Sequence, residues 1–330
     1  MKILVIGNED RYRKYLPEDM AITREAELVF VDRGASDAEK LERGRDCVYI
    51  AADPMGTVSG DVIRGLDKLR LIHSEGVGFN GVDISAARER GIYVCNCKGV
   101  NAGAVAEQAV FLMLAVLRGA VTGHRAVRAG EQMSTKEKMM LGGIRELSQC
   151  RVGLIGLGDI GCAVAERLIP FGAELCYWSR NRKSADTESR LGLRYLPFDE
   201  LVRTCDIISL HTAVTPETTN MADRGFFDKM KSDSILINTA RGELVDNVAL
   251  IEALESGKLF GAGLDTVYPE PVTRDNPLLN LPPKLADKIV FSPHIGGITA
   301  GAFKRSHRLI WESFRDVQEG KRPKNIINGL

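Results

Sequence analysis

Three segments of the chain end in side chains whose chemistry could be combined. Asn238-Thr239-Ala240-Arg241-Gly242 carries a guanidinium, and Gly263-Leu264-Asp265 with Tyr268-Pro269-Glu270-Pro271 carries two carboxylates. Ser292-Pro293-His294-Ile295-Gly296-Gly297 carries an imidazole. Each segment lies at the carboxyl end of a predicted strand, the edge at which ligands bind in open α/β sheets. An arginine fork clamps a carboxylate, a histidine gives or takes a proton near neutral pH, and an acid beside it favours its protonated form. Those are the parts needed to move a hydride to or from a 2-oxo acid. Spacing alone does not assign one role to each residue.

A glycine pattern with the same setting lies upstream. Gly156-Leu157-Gly158-Asp159-Ile160-Gly161 follows the apolar run Val152-Gly153-Leu154-Ile155 and opens a helical stretch, Cys162 to Phe171. The first glycine permits a tight turn, the second lets a pyrophosphate approach the backbone, and the third lets helix and strand pack closely. Unpaired N–H groups at the helix start, from Asp159, Ile160 and Gly161 onward, favour the phosphates. This context points to a dinucleotide rather than to a merely structural turn. About twenty residues on, where NAD enzymes place an acid against the ribose 2′-hydroxyl, the segment Cys176-Tyr177-Trp178-Ser179-Arg180-Asn181-Arg182-Lys183 has none. Ser179 can donate to a 2′-phosphate and Arg180 or Arg182 can pair with it, so NADP is the preferred cofactor, with NAD as the alternative. The competing reading is that these are solvated surface cations.

The elements that must position these groups form two alternating series. Ile3–Ile6, Leu28–Val31, Cys47–Ala51, Leu71–His73 and Ile92–Cys95 read as strands separated by segments of helical length, a flavodoxin-like parallel sheet. Val152–Gly156, Glu174–Trp178, Ile207–His211, Ile235–Asn238, Gly261–Leu264 and Ile289–Ser292 form a second doubly wound sheet. Between them, Asn101 to Arg118 is apolar on every face and reads as a buried helix joining two domains. Tyr268 to Pro293 is proline-rich and reads as a structured loop. Thr299 to Glu319 has a helical pattern and is expected to return to the first domain. The expected architecture is α/β: a Rossmann dinucleotide-binding domain, residues 100–295, inserted in a discontinuous flavodoxin-like substrate domain, residues 1–99 and 296–330.

Composition narrows the functional classes. The 330 residues hold 44 Lys+Arg against 44 Asp+Glu, so no net field favours nucleic acid or a membrane surface. Hydrophobic content of 44% comes without an unbroken run of spanning length. The first residues read as a strand, not a signal peptide. Seven cysteines lack zinc-site spacing and the five histidines show no i, i+4 pair, so no metal is expected. Reduced thiols and a cytoplasmic address follow as expectations.

In chain order, the glycine fingerprint, Asn-Thr-Ala-Arg-Gly, Gly-Leu-Asp with Pro-Glu-Pro, and Ser-Pro-His-Ile-Gly-Gly resemble the D-isomer specific 2-hydroxyacid dehydrogenase family over essentially the whole length. The likeness is closest to glyoxylate and hydroxypyruvate reductases. It implies that Arg241 holds the substrate carboxylate and carbonyl, that His294 is the acid/base, and that Glu270 hydrogen-bonds His294. It places Asp265 at the nicotinamide carboxamide, Thr212 on the adenosine side, and Thr239, Ala240, Gly296 and Gly297 among the cofactor contacts. Gly76-Val77-Gly78-Phe79-Asn80-Gly81-Val82-Asp83 resembles the family's substrate loop, whose N–H groups at Val77 and Gly78 would bind the carboxylate. Asn101 to Glu107 resembles the start of the interdomain helix, with Ala104 where the family commonly has Ser. A homodimer is also implied, with Gln132 to Ser148 as the contact segment.

Substrate identity stays open at this point. A small 2-oxo acid is favoured. Phe79, Tyr268 and Trp311 are candidates to line a larger apolar pocket, which keeps branched or aromatic acids as alternatives. A third reading is a dinucleotide-sensing, corepressor-like binding protein.

Overall fold

Short apolar runs rich in Ile, Val and Leu become parallel strands buried on both faces. The computed structural model describes residues 1–330. The chain divides into two units, Met1–Asn101 with Ile298–Leu330, and Ala102–Gly297.

In the first unit, β1 (Lys2–Ile6), β2 (Glu27–Val31), β3 (Tyr49–Ala52), β4 (Leu71–Ser74) and β5 (Tyr93–Cys95) pair in the order β2-β1-β3-β4-β5. Every ladder is parallel, and the order is that of flavodoxin-like folds. The two-residue period of β1 sends Leu4 and Ile6 to one core layer, with Ile50, Ile72 and Val94. Ile3 and Val5 face the other layer, with Tyr49 and Leu71, where the helix Ala300–Gln318 adds Ile310, Trp311 and Phe314. The Thr299 side chain caps that helix by accepting from the Ala302 N–H. Phe314 stacks on Tyr49 with ring centroids 4.7 Å apart. Trp311 is fully buried in this layer, which corrects its candidacy as a pocket-lining residue: its face of the helix is the one turned to the sheet.

The second unit holds β6 (Arg151–Ile155), β7 (Glu174–Trp178), β8 (Leu193–Tyr195), β9 (Ile207–Leu210), β10 (Ser234–Asn238), β11 (Leu259–Leu264) and β12 (Ile289–Phe291). They run parallel in the order β12-β11-β10-β9-β6-β7-β8, with the Rossmann reversal between β6 and β9. The helix Ala102–Leu117 lies on this sheet. A Cβ on Gly261 or Gly263 would come within 2.8 Å of Val116 or Leu112, so two glycines in β11 allow that approach. The helix is not covered all round, because Phe111 is 54% exposed. The proline-rich segment contains a short turn at Pro277–Leu279 and a four-residue helix, Pro283–Ala286. Each has a proline in its first turn, where the missing N–H has no helical partner to lose. No single helix is long and apolar enough to cross a membrane.

Three histidines make this fold acid-sensitive. Burial pushes the imidazoles of His73, His211 and His307 down to about 4, and Arg11 adds to the effect at His307. Above the ordinary imidazole range both folded and unfolded chains are neutral at these sites. As pH falls from there toward 4, the unfolded chain takes up protons that the folded chain refuses, so stability is lost over that window. For His73 and His307 the loss is on the order of 3 kcal/mol each. The buried Glu75, whose burial raises its carboxyl despite Arg11, acts in the opposite sense and offsets part of it. The urea midpoint is therefore expected to fall clearly between about pH 7.5 and about pH 4.5. An unchanged midpoint would show that these rings are charged in the folded state.

Candidate active site

The predicted site residues of the second unit lie past the carboxyl ends of its strands. Gly156 follows β6, and its backbone φ of +96° suits glycine alone. A Cβ there would sit 2.4 Å from the His211 carbonyl oxygen and 3.1 Å from the Thr212 nitrogen, so the loop after β9 closes directly on the fingerprint. A Cβ on Gly161 would sit 2.3 Å from the Gly156 oxygen, the close packing expected of the third glycine. At Gly158 a Cβ would meet nothing within 4 Å. Gly158 is the N-cap of the helix Asp159–Leu168 and provides no side-chain cap. The N–H groups of Asp159, Ile160 and Gly161 accordingly have no protein acceptor. Open space in front of unpaired N–H groups is what a pyrophosphate requires.

At the end of β7 the three candidate 2′-phosphate ligands behave differently. Arg180 is exposed and makes no hydrogen bond or ion pair. Ser179 Oγ donates to the Asn181 carbonyl at 2.6 Å. Arg182 is held by Glu188 through two bonds, Nε–Oε1 at 2.8 Å and Nη2–Oε2 at 2.9 Å, and lies over the Tyr195 ring. Tyr177 Oη donates to the same carboxylate at 2.6 Å. The Arg182 guanidinium and the Tyr177 hydroxyl together pull the Glu188 carboxyl down to about 2. Arg182 is thus already engaged, which corrects its equal standing with Arg180: its fork meets a carboxylate of its own chain.

Arg241 follows β10 in a turn closed by the buried Asn238. The Asn238 Nδ2 donates to the Arg241 carbonyl at 2.8 Å, and its Oδ1 accepts from the Ala240 N–H at 3.0 Å. Thr239 is buried with no partner for its hydroxyl, and Ala240 is half-buried. The Arg241 side chain is exposed, with one bond from Nη1 to the Ala240 carbonyl. Gly242 lies against the next loop, where a Cβ would come 2.4 Å from the Tyr268 nitrogen. The Tyr268 carbonyl accepts from Asn247 and Asn276 at 2.7 and 3.1 Å. The loop carrying Glu270 is thereby fixed beside the one carrying Arg241.

The Glu270 Oε1 lies 2.6 Å from His294 Nδ1. A carboxylate only accepts, so Nδ1–H is the donor and Nε2 is left free. His294 has a φ of +54°, a left-handed conformation that costs a non-glycine residue about 1 kcal/mol or more. Asp265 holds it there. The Asp265 carbonyl accepts from the His294 N–H at 2.9 Å, and its carboxylate accepts from Ser292 Oγ, from the Ile295 N–H at 3.0 Å and from the Gly296 N–H at 2.9 Å. A Cβ on Gly296 would come 2.9 Å from Asp265 Oδ2. Gln108 Nε2 donates to Ser292 Oγ at 2.9 Å. Asp265, 2% exposed, therefore latches the histidine loop, whatever else it touches. Gly297 follows in the same turn. His211, with Nε2 paired to Ser209 Oγ at 2.9 Å, is placed structurally.

Val77 and Gly78 lie on the first unit in the loop after β4, and their N–H groups have no protein acceptor. No group of His, Cys, Asp or Glu is arranged to hold a metal ion. Reading the sequence assigns no role to Asn238, Gln108, Ser292 or Glu188. Only Asn238 carries a signal, as an Asx-type turn residue two positions before Ala240.

A Rossmann sheet with a glycine cradle and an Arg, Glu and His at its carboxyl edge defines a nicotinamide-dinucleotide oxidoreductase. Residues 110–296 match the family D-isomer specific 2-hydroxyacid dehydrogenase, NAD binding domain. The chain is 36% identical over 292 residues to the glyoxylate reductase of Thermococcus litoralis, covering 87% of this chain and 86% of that one. It is 34% identical over 291 residues to the glyoxylate reductase of Korarchaeum cryptofilum, covering 87% and 85%. The D-isomer specific 2-hydroxyacid dehydrogenase of Lactobacillus delbrueckii ssp. bulgaricus, solved in its NAD complexed form, superposes with a TM-score of 0.84 at 27% identity over 99% of this chain and 100% of that one. The chain belongs to the D-isomer specific 2-hydroxyacid dehydrogenase family. It is an oxidoreductase of 2-hydroxy acids that works with a nicotinamide dinucleotide.

Proposed function

We propose that this protein reduces a small 2-oxo acid, glyoxylate or hydroxypyruvate, with NADPH preferred to NADH. The observation that carries the chemistry is the Glu270–His294 pair, with Nδ1 held at 2.6 Å and Nε2 free. Arg241 clamps the substrate carboxylate and polarises the carbonyl. Protonated His294 gives its Nε2 proton to the carbonyl oxygen as C2 is reduced, and Glu270 stabilises the imidazolium before transfer. The Gly156–Gly161 cradle would hold the phosphates of the dinucleotide and Asp265 would meet its carboxamide, and the dinucleotide would supply the hydride when bound. Thr212, Thr239, Ala240, Gly296 and Gly297 complete its binding surface. The first unit offers the Val77 and Gly78 N–H groups to the substrate carboxylate.

The cofactor preference rests on Arg180 and on the absence of an acid at the end of β7. The choice of a small acid draws on the two relatives named glyoxylate reductase. Tyr268, 52% exposed next to Glu270, supports a bulkier acid as the second reading. A homodimer is supported by the exposed Met133, Met140 and Leu141 on the helix Gln132–Gly142, which buries no residue. A cytoplasmic address accords with seven free thiols.

The test is initial-rate oxidation of NADPH and NADH against glyoxylate, hydroxypyruvate, pyruvate, 2-oxoisocaproate and phenylpyruvate. Turnover of the two smallest acids with NADPH is expected, and Arg180→Ala should erase the preference. Glu188→Gln should release Arg182 and raise the kcat/KM ratio of NADPH over NADH about tenfold. A preference for NADH in the unaltered protein would overturn the cofactor assignment, and activity on phenylpyruvate alone would favour the bulkier substrate.

A further inference from the structure

The substrate loop is held from behind. Three successive carbonyls accept bonds from the body of the first unit: Gly76 from the Cys97 N–H at 2.8 Å, Val77 from Asn96 Nδ2 at 2.8 Å, and Gly78 from Ser74 Oγ at 2.6 Å. With their carbonyls drawn inward, the peptide units leave the Val77 and Gly78 N–H groups without protein partners. Of the three donors, the Cys97 N–H and the Asn96 side chain belong to a stretch held by another segment, and the side chain that matters there is Asn96. It is 4% exposed. Its N–H donates to the Asn325 carbonyl at 3.3 Å, and its own carbonyl accepts from Asn325 Nδ2 at 3.2 Å. The same Nδ2 reaches the Lys98 carbonyl at 3.2 Å.

Asn325 can bracket Asn96 in this way because its φ is +54°, a left-handed conformation that asparagine tolerates. The residues after it run along the outer edge of β5. Ile326 bridges Cys95 in antiparallel sense, and the Ile327 N–H donates to the Val94 carbonyl at 2.9 Å. Asn328 accepts from the Val94 N–H and donates to the Ile92 carbonyl. Covering an edge needs only backbone pairing. The Asn325 side chain does something else, since its Nδ2 ties down the main chain just after the Asn96 side chain, at the Asn96 and Lys98 carbonyls.

We propose that Asn96 is a positioning residue for the 2-oxo acid, and that the C-terminal segment Asn325–Asn328 braces it. The segment thereby sets how well the Val77–Gly78 amides receive a carboxylate. This rests on the reading of those amides as the carboxylate receptor.

The experiment compares Asn96→Ala, Asn325→Gly and the double variant, with Val77→Pro as a control that deletes one of the two N–H donors. Glycine accepts the left-handed φ, so Asn325→Gly removes the side chain and keeps the backbone. Asn96→Ala is expected to raise KM for the oxo acid about tenfold, with kcat within about twofold and the dissociation constant of NADPH unchanged. Asn325→Gly should move KM in the same direction, and the double variant should be no worse than Asn96→Ala. If Asn96→Ala does not fold, the Asn325→Gly comparison carries the test. A raised KM in Val77→Pro with none in Asn96→Ala or Asn325→Gly sinks the brace alone. An unchanged KM in Val77→Pro sinks the receptor reading and the brace with it. A parallel loss of kcat and cofactor affinity in the asparagine variants points to general damage and also overturns the proposal.

Discussion

Exchange of His294 for Asn is expected to lower kcat for 2-oxo acid reduction by about a thousandfold, with the NADPH dissociation constant unchanged. The exposed imidazole keeps its Nε2 free to deliver a proton, whereas that of His211 on the same edge is tied to Ser209, and His294 is held in a left-handed conformation by Asp265. Asparagine tolerates that backbone better than most residues, so the variant removes the proton donor while keeping the loop. Glu270→Gln provides the contrast. The amide can still reach Nδ1 but no longer carries charge, so the imidazolium loses its nearby anion. Reduction draws its proton from the ring, so kcat should fall about tenfold, well short of the loss in His294→Asn. A Glu270→Gln enzyme with the parent's kcat, or a His294→Asn enzyme within tenfold of the parent, would remove this pair from the mechanism.

Arg241→Lys should cost nearly as much by another route, lowering kcat/KM for the oxo acid about a hundredfold, with loss in both KM and kcat. Lysine keeps the charge but has no planar fork, so it cannot pair with carboxylate and carbonyl oxygens in a fixed orientation. The turn that presents Arg241 is independent of its side chain. Asn238 closes it through Ala240 and the Arg241 carbonyl, and Gly242 docks it on Tyr268. The variant should therefore retain its melting temperature and its affinity for NADPH. A loss confined to KM would assign Arg241 to binding alone, without the polarising role.

Both sheets were legible because buried parallel strands are nearly continuous apolar runs, and the helix Ala300–Gln318 because its amphipathic period is long. The edge strand β8 was not: it has three residues, with Arg194 in the middle. Trp311 was misplaced because periodicity shows that a helix has an apolar face but not which surface that face meets. At the site, Arg241, Glu270 and His294 stood out by type, motif and strand-end position, and the contact between Glu270 and His294 accords with their pairing. What the sequence could not show was engagement. Arg182 looks like a phosphate ligand until Glu188 is seen to hold it. Asp265 reads as a ligand contact, and only the structure adds that its carboxylate is also bonded to Ser292, Ile295 and Gly296. Asn96 looks like an ordinary residue at a strand end until the tail of the chain is placed beside it.

The split first unit has a consequence for the order in which the molecule is built. One face of its sheet, with Ile3, Val5, Tyr49 and Leu71, is roofed by Ile310, Trp311 and Phe314, which leave the ribosome only after all of Ala102–Gly297. The N-terminal unit begins synthesis first but stays unroofed until last, while the inserted unit has its whole sequence available earlier. The inserted unit is therefore the first whose residues are all available to fold, and the core of the first unit is completed only when its last helix joins the sheet.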